Sequence, residues 1–183
     1  MVNFSKMGVE PTLSAQYSHL VGRLMMYGKM AVDGLTVEQL RDTHGGMANS
    51  IGFDVWHVVR TTDNIIHFVF EREQPVWLSG GFHERWGLPK VDQGTGMNSD
   101  DAYALPFPEA EEFKRYIRAV EDAVVPRIAA MNDAYLATVQ FIRPWGEIPR
   151  MEAIGHGLIG HGNGHLGRAC LARSLLGHKG LPF

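Results

Sequence analysis

The chain has 183 residues, a formal net charge of -3, 45% apolar residues and 20% charged ones. That length suits a single domain over residues 1–183, and that balance suits a sizeable core, which excludes a disordered chain. No run of Lys and Arg forms a basic stripe, so nucleic acid is not an expected partner. No apolar run approaches the roughly 20 residues that span a bilayer, so a membrane is not expected either. The one cysteine, Cys170, cannot form an internal disulfide, and Met1 to Glu10 lacks the basic and apolar regions of a signal peptide. The expected location is therefore the cytoplasm.

Four long segments carry helical periodicity. In the first, from about Thr12 to Ala31, the residues Leu13, Tyr17, Leu20, Leu24, Tyr27 and Ala31 recur at spacings of three and four and predict one inward face. Gly34 stops it, and Thr36 with Gln39 forms a capping-box pattern for a short helix. The second runs from about Ser50 to Arg72. Its apolar face is Ile51, Val55, Val58, Ile65 and Val69, and a polar line of Ser50, Asp54, His57, Thr61 and Asn64 lies beside it.

From Gln74 to Phe107, Gly and Pro punctuate a long connection that also holds Trp77, Phe82 and Trp86. Long connections of this kind inside compact domains are often functional, and this one is expected to pack against the helices and cover a site. The third helix is expected from Pro108 to Val125, with Pro126 as a kink and a possible extension to Thr138. Ala137 to Ile142 looks extended and is treated as a loop. The fourth helix is expected from near Pro149 to Gly177 or Gly180. The fold class is all-α, a four-helix bundle with a long loop between helices 2 and 3.

The fourth helix carries the sharpest chemical signal. Ile154, Leu158, His161, His165, Ala169, Ala172 and Leu176 lie on one stripe. His161 and His165 are one turn apart on the same face, the spacing at which one helix offers two imidazoles to one ion. Late transition metals such as zinc favour neutral imidazole nitrogen. An inward pair of histidines satisfied by hydrogen bonds would show the same spacing. His57 is the best third ligand, because Asp54 and Thr61 lie one turn away on either side and either can orient an imidazole or a bound water. A solvent-facing polar line would also account for His57. His156 points away from the stripe. Gly155, Gly157, Gly160, Gly162, Gly164 and Gly167 imply either close approach of another helix or a local break in this one. The tryptophans read as packing residues.

Taken together, Asn49-Ser50-Ile51-Gly52-Phe53 through Trp56-His57, Trp77 with Gly81-Phe82 and Arg85-Trp86-Gly87-Leu88-Pro89, His161 through His165-Leu166-Gly167, and the ending Gly177 to Phe183 resemble the DinB-like superfamily. The resemblance implies an up-down-down-up bundle, often a homodimer, with a nickel- or zinc-like ion on His57, His161 and His165 at one end. It also implies chemistry with a low-molecular-weight thiol such as mycothiol or bacillithiol as cosubstrate, although some relatives have no established activity. Gly164 stands where many relatives carry an acidic residue, so this helix offers no general base there. The functional expectation is a metal-dependent thiol S-transferase acting on a small electrophile, with Asp54 as proton acceptor or supporting group and the Trp77 to Trp86 loop over the site. The alternative is a non-catalytic metal- or ligand-binding protein related to stress.

Overall fold

The computed structural model describes residues 12–182; the reading of Met1 to Glu10 lies outside them. The chain is mostly helical, with one two-stranded sheet among the described residues. No helix there is long and apolar enough to cross a membrane.

Helix α1 spans Leu13–Val32 and is capped by the Thr12 side chain, which accepts from the Ala15 amide. Such a cap satisfies one of the first-turn amides and contributes about 1 kcal/mol. Its buried line differs from the expected one in the first half. Ser14, Ser18, Val21 and Met25 face inward, while Leu13 is exposed and Tyr17 and Leu20 are half-buried. The cause is the neighbour: α1 packs mainly on the later helix 110–129, and Ser18 donates its hydroxyl to the Val125 carbonyl there at 3.0 Å. Small side chains let the two backbones approach. The capping box of Thr36 and Gln39 forms as expected and opens α2, Val37–Arg41.

Helix α3, Ile51–Asp63, is capped by Ser50 and continues as a π-helical segment, Asn64–Val69. Every residue of α3 is buried, including Asp54, His57 and Thr61. The polar line beside the apolar face is therefore interior, because α3 is packed by α1, α2, helix 110–129 and the C-terminal helix together. Arg72 ends the helix at φ 60°, a left-handed conformation uncommon for a residue with a Cβ.

The long connection contains three short helices, α4 (Val76–Ser79), α5 (Phe82–Trp86) and α6 (Ser99–Tyr103). Its aromatics do not cover a site. Trp77 and Trp86 pack on Tyr116, and Trp86 also on Phe113, all within the core. Asp63 ties the connection down by accepting from the amides of Val76 and Trp77 at 2.9 and 2.8 Å, from the Tyr116 hydroxyl at 3.1 Å and from His67 Nδ1 at 2.8 Å. Burial pushes the Tyr116 hydroxyl well above its ordinary pKa, so it stays a donor.

Helix α7 spans Ala110–Ala129, with Pro126 inside its last turn, and it stops before α8, Asp133–Ala137. The segment expected as a loop is instead a strand. β1 (Val139–Ile142) pairs antiparallel with β2 (Gly146–Pro149) in the register Val139 to Pro149 and Ile142 to Gly146. The hairpin is fastened to the end of the π-helical segment that continues α3. Arg150 donates to the Phe70 carbonyl at 2.9 Å and to Gln140 Oε1 at 3.2 Å, and Gln140 donates to the Val69 carbonyl.

The last helical stretch begins as α9, Arg150–Glu152, widens into a π-helical segment, Ala153–Gly160, and continues as α10, His161–Leu175. Its glycines mark neither a break nor a close backbone approach. The helix is locally wider, and side chains of other elements press against it: a Cβ on Gly157 would lie 2.7 Å from Trp145 Cη2, and one on Gly162 would lie 2.7 Å from Leu24 Cδ2.

Candidate metal centre

The fold brings His57 of α3 together with His161 and His165 of α10, and their ligand nitrogens all lie within 4.8 Å of one another. His161 Nε2 is 3.0 Å from His165 Nε2 and 3.4 Å from His57 Nε2. Two imidazole nitrogens bound at 2.0–2.1 Å around a tetrahedral ion would stand about 3.3 Å apart, so the spacing fits a single ion.

The outer nitrogens explain why the inner ones face each other. His57 Nδ1 is hydrogen-bonded to the Gln93 carbonyl, and the ring stacks on Phe53 one turn earlier at 5.9 Å. A carbonyl only accepts, so Nδ1 donates and the lone pair stays on Nε2. His165 Nδ1 is 2.7 Å from Asp54 Oδ1, a charge-assisted contact across the two helices. Arg168 Nη2 also lies 2.8 Å from that oxygen and against His165 Nδ1. Both nitrogens are donors towards a carboxylate. Asp54, only 1% exposed, is the fixed partner, whereas the Arg168 side chain is 49% exposed and free to adjust. His165 Nδ1 therefore donates to Asp54, and its Nε2 lone pair points inward.

With His57 and His165 both presenting lone pairs, a proton on His161 Nε2 can satisfy only one of them. A cation satisfies all three. The electrostatics agree. Burial pushes the His57 imidazole down to about 4, with His165 and His161 adding to the shift and the Gln93 contact opposing it. His161 is lowered by burial first, then by His165 and Arg168. Both rings are thus held in the neutral form that metals bind.

The sequence-derived ligands converge, but their supports differ from expectation. Asp54 serves His165, not the nearer His57, and the buried Thr61 Oγ1 has no hydrogen-bond partner among the described residues. His156 is exposed and lies off the cluster beside Trp145, at 6.2 Å between ring centroids. Of the remaining histidines, His67 binds Asp63 and His178 binds Gln39. Three contributors were missed: the Gln93 carbonyl, Trp145 and Arg168 as a partner of Asp54. A backbone carbonyl leaves no trace in side-chain patterns, and Trp145 reaches the site only through the unexpected hairpin. For Arg168 the signal was available, three residues after His165.

A mostly helical chain with three inward imidazoles on two packed helices defines a class of helical protein whose histidine cluster could hold a metal ion. The chain belongs to the DinB superfamily, whose model matches residues 29–169. Among solved structures, a conserved protein from Enterococcus faecalis superposes with a TM-score of 0.75 at 19% identity, covering 88% of this chain and 96% of that one, which is a likeness of fold. No curated protein matches the sequence.

Proposed function

We propose that the protein is a metal-dependent enzyme of the thiol S-transferase type, acting on a small electrophile in the cytoplasm. The observation that supports it best is the convergence of three Nε2 atoms whose outer nitrogens are already engaged, on His57 by Gln93 and on His165 by Asp54. His57, His161 and His165 hold a nickel or zinc ion in this reading. Three protein ligands leave a position for an exogenous group, and the ion supplies a cation that stabilises the thiolate of a low-molecular-weight thiol near neutral pH. The residues do the remaining work. Asp54, saturated by His165 and Arg168, is a positioning residue in place of a proton acceptor. Burial of His57 and His165 keeps bulk water from the inner side.

In the same reading the chain is one domain, an up-down-down-up four-helix bundle that pairs as a homodimer. The outward face of α10 supports the pairing: Gly164 and Gly167 meet nothing within 4 Å of an added Cβ, and Leu171 and Leu175 are exposed. Light scattering should give twice the 20.4 kDa of the chain, and a stable monomer at micromolar concentration contradicts the pairing.

The activity is tested by adding bacillithiol, mycothiol and simpler thiols to the metal-loaded protein with an activated aryl halide. Thioether should form, and chelation or His165→Ala should abolish it. A metal-loaded protein that is inert with every thiol moves the reading to a non-catalytic metal-binding protein.

A further inference from the structure

The triad is open on one side. His57 and His165 are buried, while His161 is partly exposed. Two side chains that no ion requires flank the triad. Trp145, in the hairpin turn, meets the His161 ring edge-on with centroids 6.5 Å apart. It is seated there by the notch at Gly157, where a Cβ would overlap its ring. Arg168 stands one turn beyond His165. Its Nη2 lies 3.5 Å from His165 Nε2, the nitrogen that faces the other two imidazoles. Its Nε and Nη2 are turned towards Asp54, and Nη1 makes no hydrogen bond among the described residues.

Charge decides what such a mouth takes. The three imidazoles are neutral ligands, and Asp54 offsets Arg168, so a divalent ion leaves the site with a surplus of two positive charges. A desolvated positive site favours an anion, and a guanidinium edge favours a carboxylate or similar group. The indole offers a flat apolar wall to the rest of the molecule.

We infer that the open side of the triad binds a small anion that carries a flat apolar group, with the anionic end between Arg168 and the three histidines and the flat group against Trp145. This rests on the metal-centre reading above and adds the class of ligand. It also moves the apolar wall from the Trp77 to Trp86 segment, which is committed to the core, to the hairpin.

The test uses cobalt-loaded full-length protein titrated with benzoate and with acetate, followed by the visible cobalt spectrum. Benzoate should bind about tenfold more tightly than acetate. Trp145→Ala should bring the ratio close to one while leaving cobalt stoichiometry and acetate affinity unchanged, and Trp145→Phe should keep most of the preference. Arg168→Met should weaken both anions about tenfold, with part recovered in Arg168→Lys. Equal affinities in the parent protein, a ratio unaffected by Trp145→Ala, or full affinity in Arg168→Met each overturn the inference and leave the metal centre standing. Should Trp145→Ala fail to fold, the parent ratio and Trp145→Phe decide. A protein that takes up no cobalt overturns the metal-centre reading and this inference with it.

Discussion

Asp54→Asn probes the support of the metal centre without touching a ligand. In the parent, His165 Nδ1 donates to Asp54 Oδ1 at 2.7 Å, within the charge-assisted range. Partners of metal-bound histidines typically change affinity 10–100-fold when removed, which is about 1.4–2.7 kcal/mol. The structure places the two natural substitutions at different ends of that range. Asparagine keeps an acceptor oxygen of similar reach and loses only the charge, so about tenfold weaker binding is expected. Alanine leaves Nδ1 facing a site that is 1% exposed, where water does not readily replace the carboxylate, so about a hundredfold is expected. Arg168 adds little to either figure, because its half-exposed side chain can turn to solvent. Zinc affinity measured by competition with a chelator of known affinity reads the difference. Parent-like affinity in both variants, or Asp54→Ala no weaker than Asp54→Asn, refutes the assigned role.

Acid should destabilise the metal-free protein through His57. Its folded pKa is lowered to about 4 from 6.5, so the unfolded chain takes up a proton that the folded chain refuses. Stability from this group is present above pH 6.5 and falls by roughly 3 kcal/mol as the pH drops towards 4, and urea melts should show that slope reduced in His57→Gln. In the fold itself, Gly52→Ala would place a Cβ 2.6 Å from Phe107 Cδ2 and 2.8 Å from the Leu40 carbonyl. The backbone contact cannot rotate away, so a loss of about 1–3 kcal/mol is expected in chemical denaturation. Asp63→Ala leaves the amides of Val76 and Trp77 and the Tyr116 hydroxyl without their acceptor, and the buried Arg60 without the carboxylate 3.9 Å from its Nη1. About 3–5 kcal/mol should be lost in the same assay, whereas a loss below about 1 kcal/mol would show the network to be dispensable.

The stripe from Leu158 to Ala172 was legible because helical spacing survives the change from π to α just before His161, and its members point inward as read. His57 was legible as a candidate, and what the sequence left open was whether its polar line faced water. Packing on all sides of α3 decides that, and such packing is a property of the assembled helices. The first half of α1 misled for a similar reason. Leucine and tyrosine marked the more apolar line, but contact with α7 is made by the smaller Ser18. The hairpin escaped because each strand has only four residues and is held by Gln140 and Arg150 reaching Val69 and Phe70, past the end of α3. Asp54 was read as a supporting group without its partner, because His165 lies 111 residues away on another helix.

The central claim is that His57, His161 and His165 hold one ion. The direct measurement is elemental analysis with X-ray absorption on protein purified without chelators or an affinity tag, for the parent and for His57→Ala, His161→Ala, His165→Ala and His156→Ala. The account predicts about one divalent transition ion per chain, with imidazole nitrogens at about 2.0–2.1 Å if it is zinc. That ion should persist in His156→Ala and be lost or strongly depleted in the other three. A parent protein that binds no ion even after incubation with zinc or nickel, or an ion that survives His57→Ala and disappears in His156→Ala, contradicts it.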